Sequence, residues 1–114
     1  MEDLIDRIKA AGCDVDGSMD RFLDDKNFYI TCFKEVLKDP AFEQLGQAIS
    51  AKQVKEAFDA AHTLKGIILN LGITPLYEII VNIVEPLRAG SFENTDVYYQ
   101  KLLDKRDSLK KLFE

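Results

Sequence analysis

Tryptophan is absent from this chain, histidine occurs once, cysteine twice and proline three times in 114 residues. Each scarcity closes off a class of protein. One histidine and two distant cysteines do not make a zinc ligand set, which needs several such side chains at close spacing. Two thiols, Cys13 and Cys32, are too few for the disulfide framework of a small secreted domain, and the start Met1-Glu2-Asp3 is acidic where a targeting peptide is basic. A cytoplasmic protein whose two cysteines serve as small apolar residues is expected. No apolar run approaches the roughly 18 to 20 residues of a membrane span, so no membrane insertion is expected. The formal charge is −5 with basic residues scattered among acidic ones, whereas a nucleic-acid partner would need a concentrated basic patch. Repeats, low-complexity stretches and flexible linkers are also missing. Residues 1–114 are therefore expected to form one domain around one core, which a hydrophobic content of 46% suits.

What the chain has is helical periodicity from end to end. Leu4, Ile5 and Ile8 predict a short helix that halts at Ala10-Ala11-Gly12. Val15, Met19, Phe22 and Leu23 predict another, and Asp24-Asp25 offers caps for a third whose Tyr29, Cys32, Phe33, Val36 and Leu37 share a face. Asp39-Pro40 ends that helix and opens a short segment carrying Phe42, Leu45 and Ile49. Ser50-Ala51-Lys52-Gln53 matches a capping box, so the next helix is expected to start there, with Val54, Ala57, Phe58, Ala61, Leu64 and Ile68 as its core stripe and Gly72 as its C-terminal cap. Thr74-Pro75 reads as N-cap and first position of a helix carrying Leu76, Ile79, Ile80, Ile83, Val84 and Leu87, with a kink or frayed end expected at Pro86. After Ala89-Gly90-Ser91, Asn94 or Thr95 caps a last helix whose Tyr99, Leu102, Leu109 and Phe113 face one side. No strand pattern competes. With short connections, the major helices should be antiparallel neighbours, so the expected fold class is all-α, an antiparallel four-helix bundle with additional short N-terminal helices.

The single histidine, His62, stands in Ala61-His62-Thr63-Leu64-Lys65-Gly66. At about 100° per residue it falls roughly 100° from the centre of its helix's apolar stripe, which predicts an accessible imidazole. Gly66 follows one turn later on the same face, where a glycine costs helix stability and leaves bare ground. Lys65 projects near the core edge, from which its stem could carry the ammonium toward an anion at the imidazole. Two other features have plainer readings. Asp14, Asp16, Ser18 and Asp20 imitate the start of a calcium loop, but Met19 stands where the loop needs glycine and Asp25 where it needs glutamate, so helix capping is expected instead. Tyr29, Phe33 and Phe42 could form a partner-facing aromatic patch, yet their helical spacing points to core packing.

The run from Ala61 to Gly66, followed by Asn70-Leu71-Gly72, resembles the signature of histidine-containing phosphotransfer (HPt) domains. Arg21-Phe22 with Asp24 to Tyr29 upstream, and Leu76, Glu85, Arg88 and Gly90 downstream, extend the similarity over most of the chain. The resemblance implies a four-helix bundle that carries a phosphoryl group to and from receiver-domain aspartates without binding ATP, a phosphocarrier module and no turnover enzyme. It makes His62 the phosphoacceptor, Lys65 the group that offsets phosphoryl charge, and Gly66 the gap that lets a receiver approach. It also implies response-regulator receiver domains or a histidine kinase as partners, no cofactor on this chain, and Mg²⁺ on the receiver. A monomer is expected. This chain departs from the family's small or polar residues after the glycine by having Ile67, Ile68 and Leu69. Ile67 and Leu69, with Thr63, are therefore candidate partner-docking residues. They also motivate the alternative reading, a non-catalytic adaptor that docks a receiver or kinase without transferring phosphate. A general acid or base enzyme is disfavoured because His62 has no recognisable companion motif.

Overall fold

The computed structural model describes residues 3–114, and all regular structure among them is helical. In chain order the helices are α1 (Leu4–Ala10), α2 (Val15–Ser18), α3 (Lys26–Leu37), α4 (Ala41–Ser50), α5 (Val54–Leu71), α6 (Thr74–Arg88) and α7 (Thr95–Lys110), with 3-10 turns at Met19–Phe22 and Lys111–Phe113. Helix α4 packs on α5, α5 on α6, α6 on α7, and α7 returns against α4, closing a four-helix bundle. Each link is only a few residues long, so neighbours run antiparallel. Helix α3 packs across α5 and α7, and the expected helical bundle with short N-terminal helices is what the chain forms.

The core is built where apolar periodicity placed it. Leu45, Ala57, Ala61, Leu64, Ile68, Leu76, Ile80, Ile83, Val84 and Leu102 are fully buried. Tyr29, Phe33 and Phe42 are fully buried as well, so these aromatics belong to the core and present no patch to a partner. At roughly 1.5–3 kcal/mol for each Leu, Ile, Val or Phe among them, removal of this surface from water supplies the driving force for the bundle. Cys13 is buried and Cys32 half-buried, both as free thiols.

Hydrogen bonds at the end of α5 explain why the N-terminal segment lies where it does. The last carbonyls of a helix have no partner within it. Here the carbonyl of Asn70 accepts from Arg21 Nε at 3.0 Å, that of Leu71 from Tyr29 Oη at 2.6 Å, and that of Gly72 from the Asp14 backbone N–H at 2.8 Å. Ser18 reinforces the junction by donating to the Asp14 carbonyl and accepting from Arg21 Nη2. Gly72, with φ of 68°, takes the left-handed position in which a Cβ would collide with the Asp14 carbonyl. Its role as the C-terminal cap of α5 is as expected.

Several local expectations are corrected. Ser50 opens no capping box, because α4 runs through Ser50 and α5 begins at Val54 with Gln53 as an N-cap that makes no side-chain bond. The orphaned groups there are met by backbone instead: Lys52, at φ 58°, donates to Ile49 and Gln53 donates to Ala48. Leu23 leaves the core face for the same kind of reason. It occupies the left-handed position that closes the preceding 3-10 turn, and this rotation leaves its side chain 83% exposed. Helix α6 starts one residue early, with Ile73 as N-cap and Thr74 already helical, and it continues through Pro86 to Arg88. Pro86 has no N–H for the Asn82 carbonyl one turn back, and the helix ends two residues beyond it.

Candidate functional site

Helix α5 is long because its capless start is compensated by burial of Ala57, Ala61, Leu64, Ile68 and Leu71 along one side. The opposite side carries His62, Gly66 and Leu69 within a strip about 60° wide. His62 is exposed. No atom beyond its own helix backbone and chain neighbours lies within 4 Å of where a Gly66 Cβ would stand. Arg21, Gly66, Leu69 and Asn70 together line a shallow concavity beside the imidazole's helix. Its rim is held by the hydrogen bond from Arg21 to Asn70 described above.

Toward α6, His62 has a neighbour that periodicity alone assigned to the core. Phe58, one turn earlier, is only half-buried, and the imidazole stacks on its ring with centroids 5.4 Å apart and planes 22° apart. The guanidinium carbon of Arg88 sits 5.2 Å from the same ring's centroid. Arg88 Nε in turn lies 3.4 Å from Glu85 Oε2, while Glu85 Oε1 lies 4.0 Å from Lys65 Nζ. Lys65 thus leans from α5 toward α6 with its side chain 23% exposed, and one carboxylate faces two cations. The i, i+4 spacing of Phe58 and His62 was the available sequence signal for their contact.

The structure brings together His62, Gly66 and Leu69, with Lys65 on the flank facing α6. It separates the other docking candidates. Leu69 is 55% exposed, whereas Ile67 is half-buried against the core and Ile68 fully buried. Thr63 is exposed but turns toward α4, where it borders Ala41, Gln44 and Ala60. Leu69 and Thr63 are about 120° apart on the helix, so a single small contact cannot centre on both.

Among the described residues, no group of three or more His, Cys, Asp or Glu side chains is placed to hold a metal ion. The acidic run near the N-terminus is otherwise engaged: Asp14 caps α2 by accepting from the Gly17 N–H, and Asp16 pairs with Lys9 at 3.1 Å. None of the described helices is long and apolar enough to cross a membrane.

His62 thus stands exposed midway along α5, with Lys65 three residues on and the open Gly66 four residues on. The Hpt domain family model matches residues 32–110, spanning α4 to α7 and the second half of α3. No curated protein and no solved structure matches the chain. Domains of this type take part in phosphorelays as phosphocarriers and are not turnover enzymes. With most of its length under that match and the helical bundle in place, the chain belongs to the Hpt domain family.

Proposed function

We propose that this chain is a histidine phosphocarrier of a two-component phosphorelay, accepting a phosphoryl group on His62 from a receiver-domain aspartate and donating it to another. The observation that carries this reading is the exposed imidazole of His62 with open space at Gly66 one turn beyond it. A neutral imidazole has a ring nitrogen with a free lone pair. That nitrogen attacks phosphorus, the new N–P bond forms as the aspartyl P–O bond breaks, and the carboxylate leaves with the bonding electrons. The proton on the other ring nitrogen stays with the ring or passes to water. Reversal of the same steps on a second aspartate discharges the carrier.

Lys65 offsets negative charge on the phosphoryl oxygens, for which its flexible stem needs only to swing away from Glu85. Gly66 admits the receiver's loops close to the helix, and Leu69 offers them an apolar contact. The Mg²⁺ such transfers use is assigned to the receiver, whose acidic side chains would bind it. This chain acts as a monomer in the cytoplasm in this reading, with a receiver or a histidine kinase as partner.

Incubation with a phosphorylated cognate receiver should give acid-labile label on the parent protein and none on His62→Gln. Label that persists in His62→Gln overturns the assignment. The exposed Leu69 favours the adaptor as the second reading. Receiver binding that survives His62→Ala, with no transfer from any cognate partner, would establish it.

A further inference from the structure

We propose that Phe58 is a positioning residue for His62: its ring is the platform that holds the imidazole in an attacking orientation, and Arg88, held by Glu85, steadies that platform from α6. The inference rests on His62 as phosphoacceptor and adds a residue that neither the motif nor family membership assigns.

An exposed histidine is ordinarily free to turn. A side chain projecting from a helix into water samples several χ1 wells and a broad χ2, so its nitrogens point in many directions. His62 is not so placed. Its ring lies nearly parallel to Phe58 at 22°, and a 5.4 Å centroid separation at that angle is the offset stack that aromatic quadrupoles favour. The offset stack covers part of one face of the imidazole and leaves its edge open. The lone pair that attacks phosphorus lies in the ring plane at that edge, so the contact restricts the nucleophile without masking it.

Phe58 is itself held. It is half-buried and packs against the core, so its ring has an anchored side and a free one. The Arg88 guanidinium adds a cation–π contact at 5.2 Å, and Glu85 fixes Arg88 through the 3.4 Å pair. Two helices therefore converge on one aromatic ring whose exposed surface carries the histidine. Orientation paid for before the partner arrives lowers the barrier to transfer. A solvated histidine at the same backbone position would lose that advantage.

The test uses the full chain with Phe58→Leu and Phe58→Tyr, phosphoramidate as a donor without a docking surface, and NMR of the His62 ring protons. In the parent, these protons should be shifted upfield by the Phe58 ring current and show cross-peaks to that ring. Phe58→Leu keeps an apolar side chain for the core and should move them toward free histidine values. It should also slow labelling by phosphoramidate by about threefold to tenfold, the fold-change expected for loss of one aromatic pair. Phe58→Tyr should restore both. Parent-like rates in Phe58→Leu, or a loss seen only with a receiver as donor, overturns the positioning role. Absence of ring-current shift and cross-peaks in the parent overturns it without any variant, even if Phe58→Leu does not fold. Failure of the parent to be labelled on His62 would instead sink the phosphocarrier reading, while the ring shifts still decide whether Phe58 orients the imidazole.

Discussion

Lys65 Nζ lies 4.0 Å from Glu85 Oε1, across the seam between α5 and α6, and the other oxygen of that carboxylate lies 3.4 Å from Arg88 Nε. The cation proposed to meet the phosphoryl group is thus held at rest by an anion from the next helix. A pair this long, with Glu85 still largely in water, contributes about 1 kcal/mol or less. Glu85→Gln should therefore unfold within about 1 kcal/mol of the parent in urea while releasing both Lys65 and Arg88, so the final yield of phosphohistidine at fixed phosphoramidate should rise about twofold even as the loosened Phe58 platform slows its appearance. Lys65→Ala should lower the labelling rate by about tenfold. Labelling of Lys65→Ala at the parent's rate would remove Lys65 from the transfer.

Gly66 and Gly46 should respond in opposite senses to the same substitution. A Cβ at Gly66 meets nothing within 4 Å, and alanine is the better helix former by roughly 0.8–1 kcal/mol. Gly66→Ala should raise the melting temperature and slow transfer from a receiver, yet leave phosphoramidate labelling unchanged. At Gly46 a Cβ would collide with the ring and hydroxyl of Tyr99, whose Oη donates to the Phe42 carbonyl at 2.8 Å. Gly46→Ala should cost about 1–3 kcal/mol in urea unfolding, because α7 must shift to admit one methyl group.

Tyr29 is fully buried and its hydroxyl donates to the Leu71 carbonyl at 2.6 Å. Tyr29→Phe keeps the ring and strands that carbonyl. A loss of about 1–3 kcal/mol is expected from urea unfolding, the cost of an unsatisfied buried polar group. Unchanged stability would show that water or another donor replaces the hydroxyl.

Burial pushes the Cys13 thiol from its ordinary 9.0 up to about 11. Burial is also the main cause that raises the Tyr29 phenol, with smaller contributions from nearby Cys13 and Asp14. In both cases the folded protein holds its proton more tightly than the unfolded chain. The resulting stability is complete below about pH 9 and is lost as pH rises toward the folded values. Melting temperature should fall between pH 9 and about pH 11, and the fall should be shallower in Cys13→Ala. A parallel decline in both proteins would assign it to the tyrosines, since burial raises the Tyr99 phenol as well as that of Tyr29.

The fold was legible to the extent that it rests on local periodicity. The stripe from Ala57 to Ile68, the face from Tyr29 to Leu37 and the glycine stop at Gly72 all lie where three- and four-residue steps put them. Departures from that periodicity gather at element ends. Ser50 and Gln53 have the chemistry of a capping box, but buried Ala48 and Ile49 carry α4 into Ser50, and backbone donors close the turn. Leu23 has the chemistry of a core residue, but a left-handed backbone turns it outward. Propensity loses in both places because the whole chain's packing selects the turn.

The sequence by itself determined the all-helical class, the stripe that buries α5 and the accessible position of His62, because each follows from the 100° step of one helix. Only the tertiary structure decided what surrounds the imidazole. Arg88 and Glu85 reach the site because α6 returns antiparallel along α5, and Phe58 becomes a platform because that packing leaves it half-covered. Arg21 closes the far end through a carbonyl that α5 could not satisfy itself. The contacts of Arg88 with Phe58, Glu85 with Lys65 and Arg21 with Asn70 join residues distant in the chain, so no helical repeat could announce them.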